Sequence, residues 1–242
     1  MNNLTPLILT SIAGFSTMLG NLLLFINLKY KDKLISFSLG LSFIVMFLIS
    51  ILELVPEGLS LIYGSMPNIY LFIFAFILLS IGYLIIVGIE KNIKNNDGLY
   101  RIGILSMISL LLHNIPEGII CSFSSSINLD FGIKMTLLIM MHNIPEGICI
   151  SLPIYYSTKS RGKALLYCFI SSLGELVGAL FTMIFLTNYI NIFVLSIVFI
   201  VTAGIMISLS ILKILKEGLS YKCYKWLILG ILLGILIIYL TL

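Results

Sequence analysis

The chain is expected to be an all-α membrane protein of eight transmembrane helices with both termini outside. Three observations predict this: a very apolar composition, eight apolar runs of spanning length, and a regular alternation of charge between them. Of 242 residues, 60% are hydrophobic and 10% charged, and the mean hydropathy is +1.17. Soluble domains carry about 25% charged residues, so this composition cannot cover itself with a water-soluble surface. Spans need about 20 apolar residues each. Eight of them with short loops use nearly the whole chain, leaving a single integral membrane domain, residues 1–242, and no room for a soluble catalytic domain.

In chain order the runs are α1, Thr5–Leu28; α2, Leu34–Glu57; α3, Asn68–Glu90; α4, Tyr100–Cys121; α5, Phe131–Pro153; α6, Gly162–Leu186; α7, Ile190–Leu212; and α8, Tyr224–Leu242. Over such lengths in lipid, helices satisfy their own backbone, and the alternating pattern of a membrane barrel is absent. Met1 to Leu9 lack the basic region and small-residue cleavage site of a secretory leader, so α1 is expected to be retained. Lys29, Lys31 and Lys33 follow α1; Lys91, Lys94 and Arg101 follow α3; Lys159, Arg161 and Lys163 follow α5; Lys213, Lys216, Lys222 and Lys225 follow α7. Thirteen of the fourteen basic residues thus fall on one face, with Lys134 near Asp130 as the exception. Basic loops stay cytoplasmic, and only an even number of spans with outside termini gives this pattern. The net charge of +4 reflects orientation, and no basic patch for nucleic acid is present.

Within the runs, Gly14, Gly20, Gly40, Gly82, Gly88, Gly174, Gly178 and Gly204 are expected where helix backbones approach closely. Gly174 and Gly178 flank Glu175 and would let a neighbouring helix reach that carboxylate. The four cysteines, Cys121, Cys149, Cys168 and Cys223, lack paired spacing, so neither a disulfide framework nor a thiolate zinc site is expected.

Both histidines of the chain open the same hexapeptide, His113-Asn114-Ile115-Pro116-Glu117-Gly118 on α4 and His142-Asn143-Ile144-Pro145-Glu146-Gly147 on α5. A short outer loop, Ser122 to Asp130, is expected to join the two helices and make them antiparallel. In each copy His and Glu are four residues apart, on one face, with Asn rotated by about 100°. Each Pro frees the carbonyl four residues earlier, at Leu112 and Met141, and is expected to kink its helix. At about 1.5 Å per residue, His113 lies roughly 18 Å from Arg101 and His142 roughly 18 Å from Asp130, both near mid-membrane.

The two motifs can therefore face each other and pool two imidazoles, two carboxylates and two amides. A carboxylate at that depth is costly unless paired, coordinated or protonated, and no Lys or Arg in these runs lies at that depth. Glu175 on α6 sits at matching depth, about twelve residues from Lys163, and joins as a candidate ligand. Glu90 lies beside Lys91 and reads as an interfacial residue. Mixed N/O ligands suit zinc, iron, manganese, cobalt or cadmium better than magnesium or calcium. Without thiolates the site would not trap an ion, which suits transport. A buried hydrogen-bond network and a metal-free proton relay are the other uses of such residues.

These residues resemble the ZIP (Zrt/Irt-like) family, in which the fourth and fifth helices carry HNxPEG-type motifs and eight spans have outside termini. The resemblance covers essentially the whole chain, most closely the compact bacterial members. It implies a binuclear-type site: His113, Glu117, His142 and Glu146 at one metal position, and Asn114, Glu117, Asn143, Glu146 and Glu175 at the other, with Glu117 and Glu146 bridging. It also places Met46 of α2 beside the first position, with Glu53 and Glu57 further out as entrance candidates. The His-rich loop of many eukaryotic members is missing from Lys91–Tyr100, so cytoplasmic sensing through that loop is not expected.

The expected function is uptake of a divalent cation, zinc first, across the cell membrane, a bacterial cytoplasmic membrane, with no prosthetic group. Rocking of helix groups would expose the site to each side, and no P-loop or other energy-coupling motif is present. The partners are metal ions and the bilayer, with a homodimer as the candidate assembly. An intramembrane zinc metallohydrolase and a His/Glu proton channel are the alternatives; the first lacks an HExxH motif.

Overall fold

The computed structural model describes residues 4–25, 31–65, 67–92, 97–185 and 192–241. Among them all regular structure is helical and there is no strand. α1 is α-helical over Leu4–Phe15 and tightens to a 3-10 helix over Ser16–Phe25. α2 runs over Lys31–Ile49, passes through a π segment at Ser50–Leu54 and closes with the α turn Val55–Ser60. α3 is Asn68–Asn92, α4 Gly98–Ile127, α5 Leu129–Thr158 and α6 Arg161–Phe185. α7 repeats the α2 pattern, with Ile192–Leu209, a π segment at Ser210–Leu215 and the turn Lys216–Ser220, and α8 is Tyr224–Thr241. The expected helix limits Leu28, Leu186, Ile190 and Leu242 and the loop cations Lys29 and Lys94 lie outside the described residues.

Six of these helices, α2 to α7, are long and apolar enough to cross a membrane among the described residues. Eight such spans are expected from the sequence. α1 leaves α-helical geometry after Phe15, and Tyr224–Leu240 is a shorter apolar helix. α3 turns Tyr70, Phe72, Phe76 and Leu84 outward, an exposed apolar face appropriate to lipid.

The expected loop at Ser122–Asp130 is instead helical except at Asn128, since α4 continues to Ile127 and α5 begins at Leu129. The serines there do not break the helix, because Ser125 and Ser126 donate back to the carbonyls of Cys121 and Ser122 at 2.7 and 2.8 Å. Asn128, extended at φ −151° and ψ 133°, then caps α5 by accepting from the amides of Asp130 and Phe131 at 2.8 and 3.3 Å. Asp97 caps α4 in the same way through Leu99 and Tyr100. The α5–α6 link is as short: Lys159 ends α5 at φ 57°, and the Ser160 hydroxyl accepts from the Lys163 amide.

Packing divides the helices into two groups. α1, α4, α5 and α6 pack on one another, as do α2, α3, α7 and α8, and the groups meet mainly where α2 crosses α5 and α7 crosses α4. Small residues make the first group tight. A Cβ at Gly118 would collide with the Glu175 backbone, at Gly174 and Gly178 with the α4 backbone, and at Gly147 with the Thr17 carbonyl. Gly174 and Gly178 do admit a close neighbour, α4, although the side chain that reaches the Glu175 carboxylate is Asn143 of α5. Gly88 departs from its expected role, with no heavy atom near enough to meet a Cβ.

Candidate metal centre

The two hexapeptides lie inside unbroken α4 and α5, so the 3.6-residue repeat alone carries His113 and Glu117, and His142 and Glu146, to one face of each helix. The connection through Asn128 sets the helices antiparallel and brings these faces together. His142 Nε2 lies 2.6 Å from Glu117 Oε1, and His113 Nε2 lies 3.0 Å from the same oxygen. Glu146 Oε1 is 3.6 Å from His113 Nε2. Ligand atoms of His113, Glu117 and His142 all fall within 4.8 Å of one another. All four side chains are buried, the most exposed being Glu117 at 4%.

The second half of the centre is built around Asn143 and Glu175. The Asn143 amide nitrogen donates to Glu175 Oε1 at 2.5 Å and to the Ala13 carbonyl of α1 at 3.0 Å. The Asn114 amide nitrogen donates to the Ser171 carbonyl of α6 at 3.2 Å. Both amides are thus held by their nitrogens, and their oxygens are left without a hydrogen-bond partner. So are Glu117 Oε2, both oxygens of Glu146 and Glu175 Oε2.

Six buried oxygens without partners in one cluster is a strong departure from the rule that buried polar groups are satisfied. No Lys or Arg among the described residues forms an ion pair with these carboxylates. Burying one such charge unpaired costs several kcal/mol, of order 3 or more. Hard oxygens joined by two imidazoles are the donor set of a divalent cation of borderline character. An ion among them would satisfy these oxygens together.

On α2, Met46 is fully buried and belongs to the apolar core shared with α5 and α7. Glu53, on the π segment, is close enough for its charge to act on His142, Glu117 and His113, and Glu57 follows one turn later. Both are half-buried. Glu90, expected as an interfacial residue beside Lys91, has further partners: Lys213 Nζ lies 2.6 Å from Glu90 Oε1, and the Arg101 guanidinium donates to the Glu90 carbonyl at 3.2 Å. It thereby joins α3, α4 and α7. That the Ala13 and Ser171 carbonyls hold the two amides is something residue types could not reveal, because every residue has a carbonyl. All four cysteines are free, with Cys121, Cys149 and Cys168 buried.

A family profile described as "ZIP Zinc transporter" matches residues 94–241, more than half of the chain. The chain belongs to the ZIP family. Among ZIP relatives, a protein named zinc transporter ZupT from Streptococcus mutans is 33% identical, covering 96% of this chain and 94% of that protein. ZupT proteins from Akkermansia muciniphila and Escherichia coli are 34% and 36% identical, over 97% and 85% of this chain and 95% and 83% of their own lengths. As a ZIP protein with six helices of spanning length, the chain is a multi-pass protein of the cell membrane.

Proposed function

We propose that this ZIP protein carries divalent metal, zinc first and iron, manganese, cobalt or cadmium as further substrates, through the α4–α5–α6 centre towards the cytoplasm. The observation that carries this reading is the buried set of oxygens without partners at Glu117, Glu146, Glu175, Asn114 and Asn143, beside His113 and His142. The relatives named zinc transporter ZupT support zinc as the substrate. His113, Glu117, His142 and Glu146 form the first metal position, with Met46 beside it. Asn114, Glu117, Asn143, Glu146 and Glu175 form the second. Glu53 and Glu57 receive the ion on its way in.

The scaffold is one domain, residues 1–242, of eight spans with both termini outside and with α4 and α5 bent at Pro116 and Pro145. The helical length of α1 supports its crossing: 12 α-helical and 10 3-10 residues extend about 38 Å, against about 30 Å of hydrocarbon. The division into two helix groups supports a rocking movement, since all candidate ligands except those of α2 ride on the α1–α4–α5–α6 group. The function is transport rather than catalysis, driven by metal or membrane potential or by an ion gradient, and a homodimer is the proposed assembly.

Zinc influx into liposomes loaded with a metal-sensing dye tests the reading. Wild type is expected to admit zinc, and Glu117→Ala and Glu146→Ala to admit it only at the rate of empty liposomes. Absence of wild-type flux, or variants as active as wild type, overturns the reading. Proton flux without metal would favour a channel, and peptide cleavage in detergent a metallohydrolase.

A further inference from the structure

Two segments of the chain share a second repeat. Ser50-Ile-Leu-Glu-Leu-Val-Pro-Glu-Gly-Leu-Ser60 and Ser210-Ile-Leu-Lys-Ile-Leu-Lys-Glu-Gly-Leu-Ser220 agree at seven of eleven positions. Both change from α to π helix at the same serine and return to an α turn before the same Glu-Gly pair. Their ends match in detail, with the Ser60 hydroxyl donating to the Glu57 carbonyl at 2.8 Å and the Ser220 hydroxyl to the Glu217 carbonyl at 2.7 Å. A π segment costs hydrogen-bond quality and is often kept where a helix must re-aim its side chains. The same device therefore appears twice in two antiparallel helices.

The copies stand at opposite ends of the molecule. Gly58 abuts Ser196, Phe199 and Ile200 in the first half of α7, whereas Gly218 abuts Leu39 in the first half of α2 and Leu227 at the start of α8. The α2 copy lies on the side from which Glu53 acts on His142 and Glu117. The α7 copy lies where α3 ends and α4 begins, with Lys213 on Glu90 and the Glu217 carboxylate against Gly98. In the proposed orientation these are the outer and inner ends of the helix bundle.

The copies differ in charge. In the outer copy positions i and i+4 are both acids, Glu53 and Glu57, neighbours on one helical face. In the inner copy the same pair reads Lys213 and Glu217. Two carboxylates a turn apart hold an arriving dication. A lysine in place of one removes a ligand and adds a like charge within the Debye length, about 8 Å at physiological ionic strength. Glu90, which also pairs with Arg101, holds that ammonium in position.

We infer that Lys213 sets a low cation affinity at the inner mouth, so that metal is released there rather than held, in contrast to the two-acid outer mouth formed by Glu53 and Glu57. This rests on the carrier reading above. The charge changes affinity and rate at one face only and leaves the equilibrium distribution of metal to its gradient and the membrane potential.

The test is zinc transport measured separately from the two faces, in right-side-out and inside-out vesicles, for wild type and the series Lys213→Gln and Lys213→Glu. Half-saturating zinc at the inner face is expected to fall about threefold for the first and about tenfold for the second, with the outer face unchanged within about twofold. The variant Glu90→Gln separates this from a mere staple between α3 and α7. It breaks the ion pair but keeps the cation at position 213, and is expected to leave half-saturating zinc at the inner face at or above the wild-type value. Wild-type flux with a flat Lys213 series, or a Glu90→Gln variant whose half-saturating zinc at the inner face falls as that of Lys213→Gln does, overturns the inference. No zinc flux by wild type from either face overturns the carrier reading and this inference together. Unaltered elution of each variant from a sizing column checks that the comparison is among folded proteins.

Discussion

The two HNIPEG copies are identical in sequence and unequal in surroundings. Glu117 stands between both imidazoles, at 2.6 Å from His142 and 3.0 Å from His113, whereas Glu146 has only the longer 3.6 Å approach to His113. The asparagines divide the other way: Asn143 is tied to Glu175 and to α1, while Asn114 has a single bond to α6. Identical residues on antiparallel helices thus meet different surroundings: both asparagines reach α6, but only Asn143 also reaches α1 and a carboxylate, and only Glu117 lies close to both imidazoles.

The largest expected effect comes from the two glutamates without metal. Glu117→Gln takes away the charge both imidazoles rest on and should lower the melting temperature in metal-free detergent. Glu146→Gln removes a buried charge with no hydrogen-bond partner and should raise it, a difference in sign that corresponds to about 3 kcal/mol between the variants. Both should lose zinc influx. Melting curves that shift the same way would end the claimed inequality of the copies.

Next in size are the asparagines. Asn143→Ala releases Glu175 and the Ala13 carbonyl together and should slow zinc influx about thirtyfold, against about fivefold for Asn114→Ala, since hydrogen bonds to a charged group are worth about 1.5–3 kcal/mol and neutral ones about 1. Equal losses in liposome assays would place the two amides in equivalent roles.

A smaller effect separates the glycines. Gly118→Ala would drive a methyl into the Glu175 backbone and should destabilise by about 1–3 kcal/mol, while Gly88→Ala meets nothing and should be neutral or stabilising through helix propensity. Thermal melting of both reads this directly. The smallest effect is expected at Met46. Met46→Leu conserves volume in a packed core and should change stability by less than about 1.5 kcal/mol. A large loss of zinc influx without loss of stability would make its sulfur a contact of the first metal position rather than core.

Much of this site is legible along the chain because the relevant physics is local. The i, i+4 spacing places His113 with Glu117 and His142 with Glu146 whatever surrounds them, and Glu175 draws notice because an acid in an apolar run needs a reason. The serines at 122–126 mislead, since polar residues that usually signal a loop can bond back to their own helix. The ties of Glu90 to Lys213 and Arg101 are hidden by sequence distance, the first spanning 123 positions.

By itself, the sequence determined that the chain is apolar and helical, that its cations gather at alternate loops, and which side chains share the faces of α4 and α5. These follow from transfer free energy and helical periodicity, which act within a few residues. The tertiary structure alone decided which glutamate sits between the histidines and which carbonyls hold the asparagines. It also decided where α1 tightens into a 3-10 helix. Those outcomes depend on close approach between helices far apart in the chain, a packing requirement that no local pattern encodes.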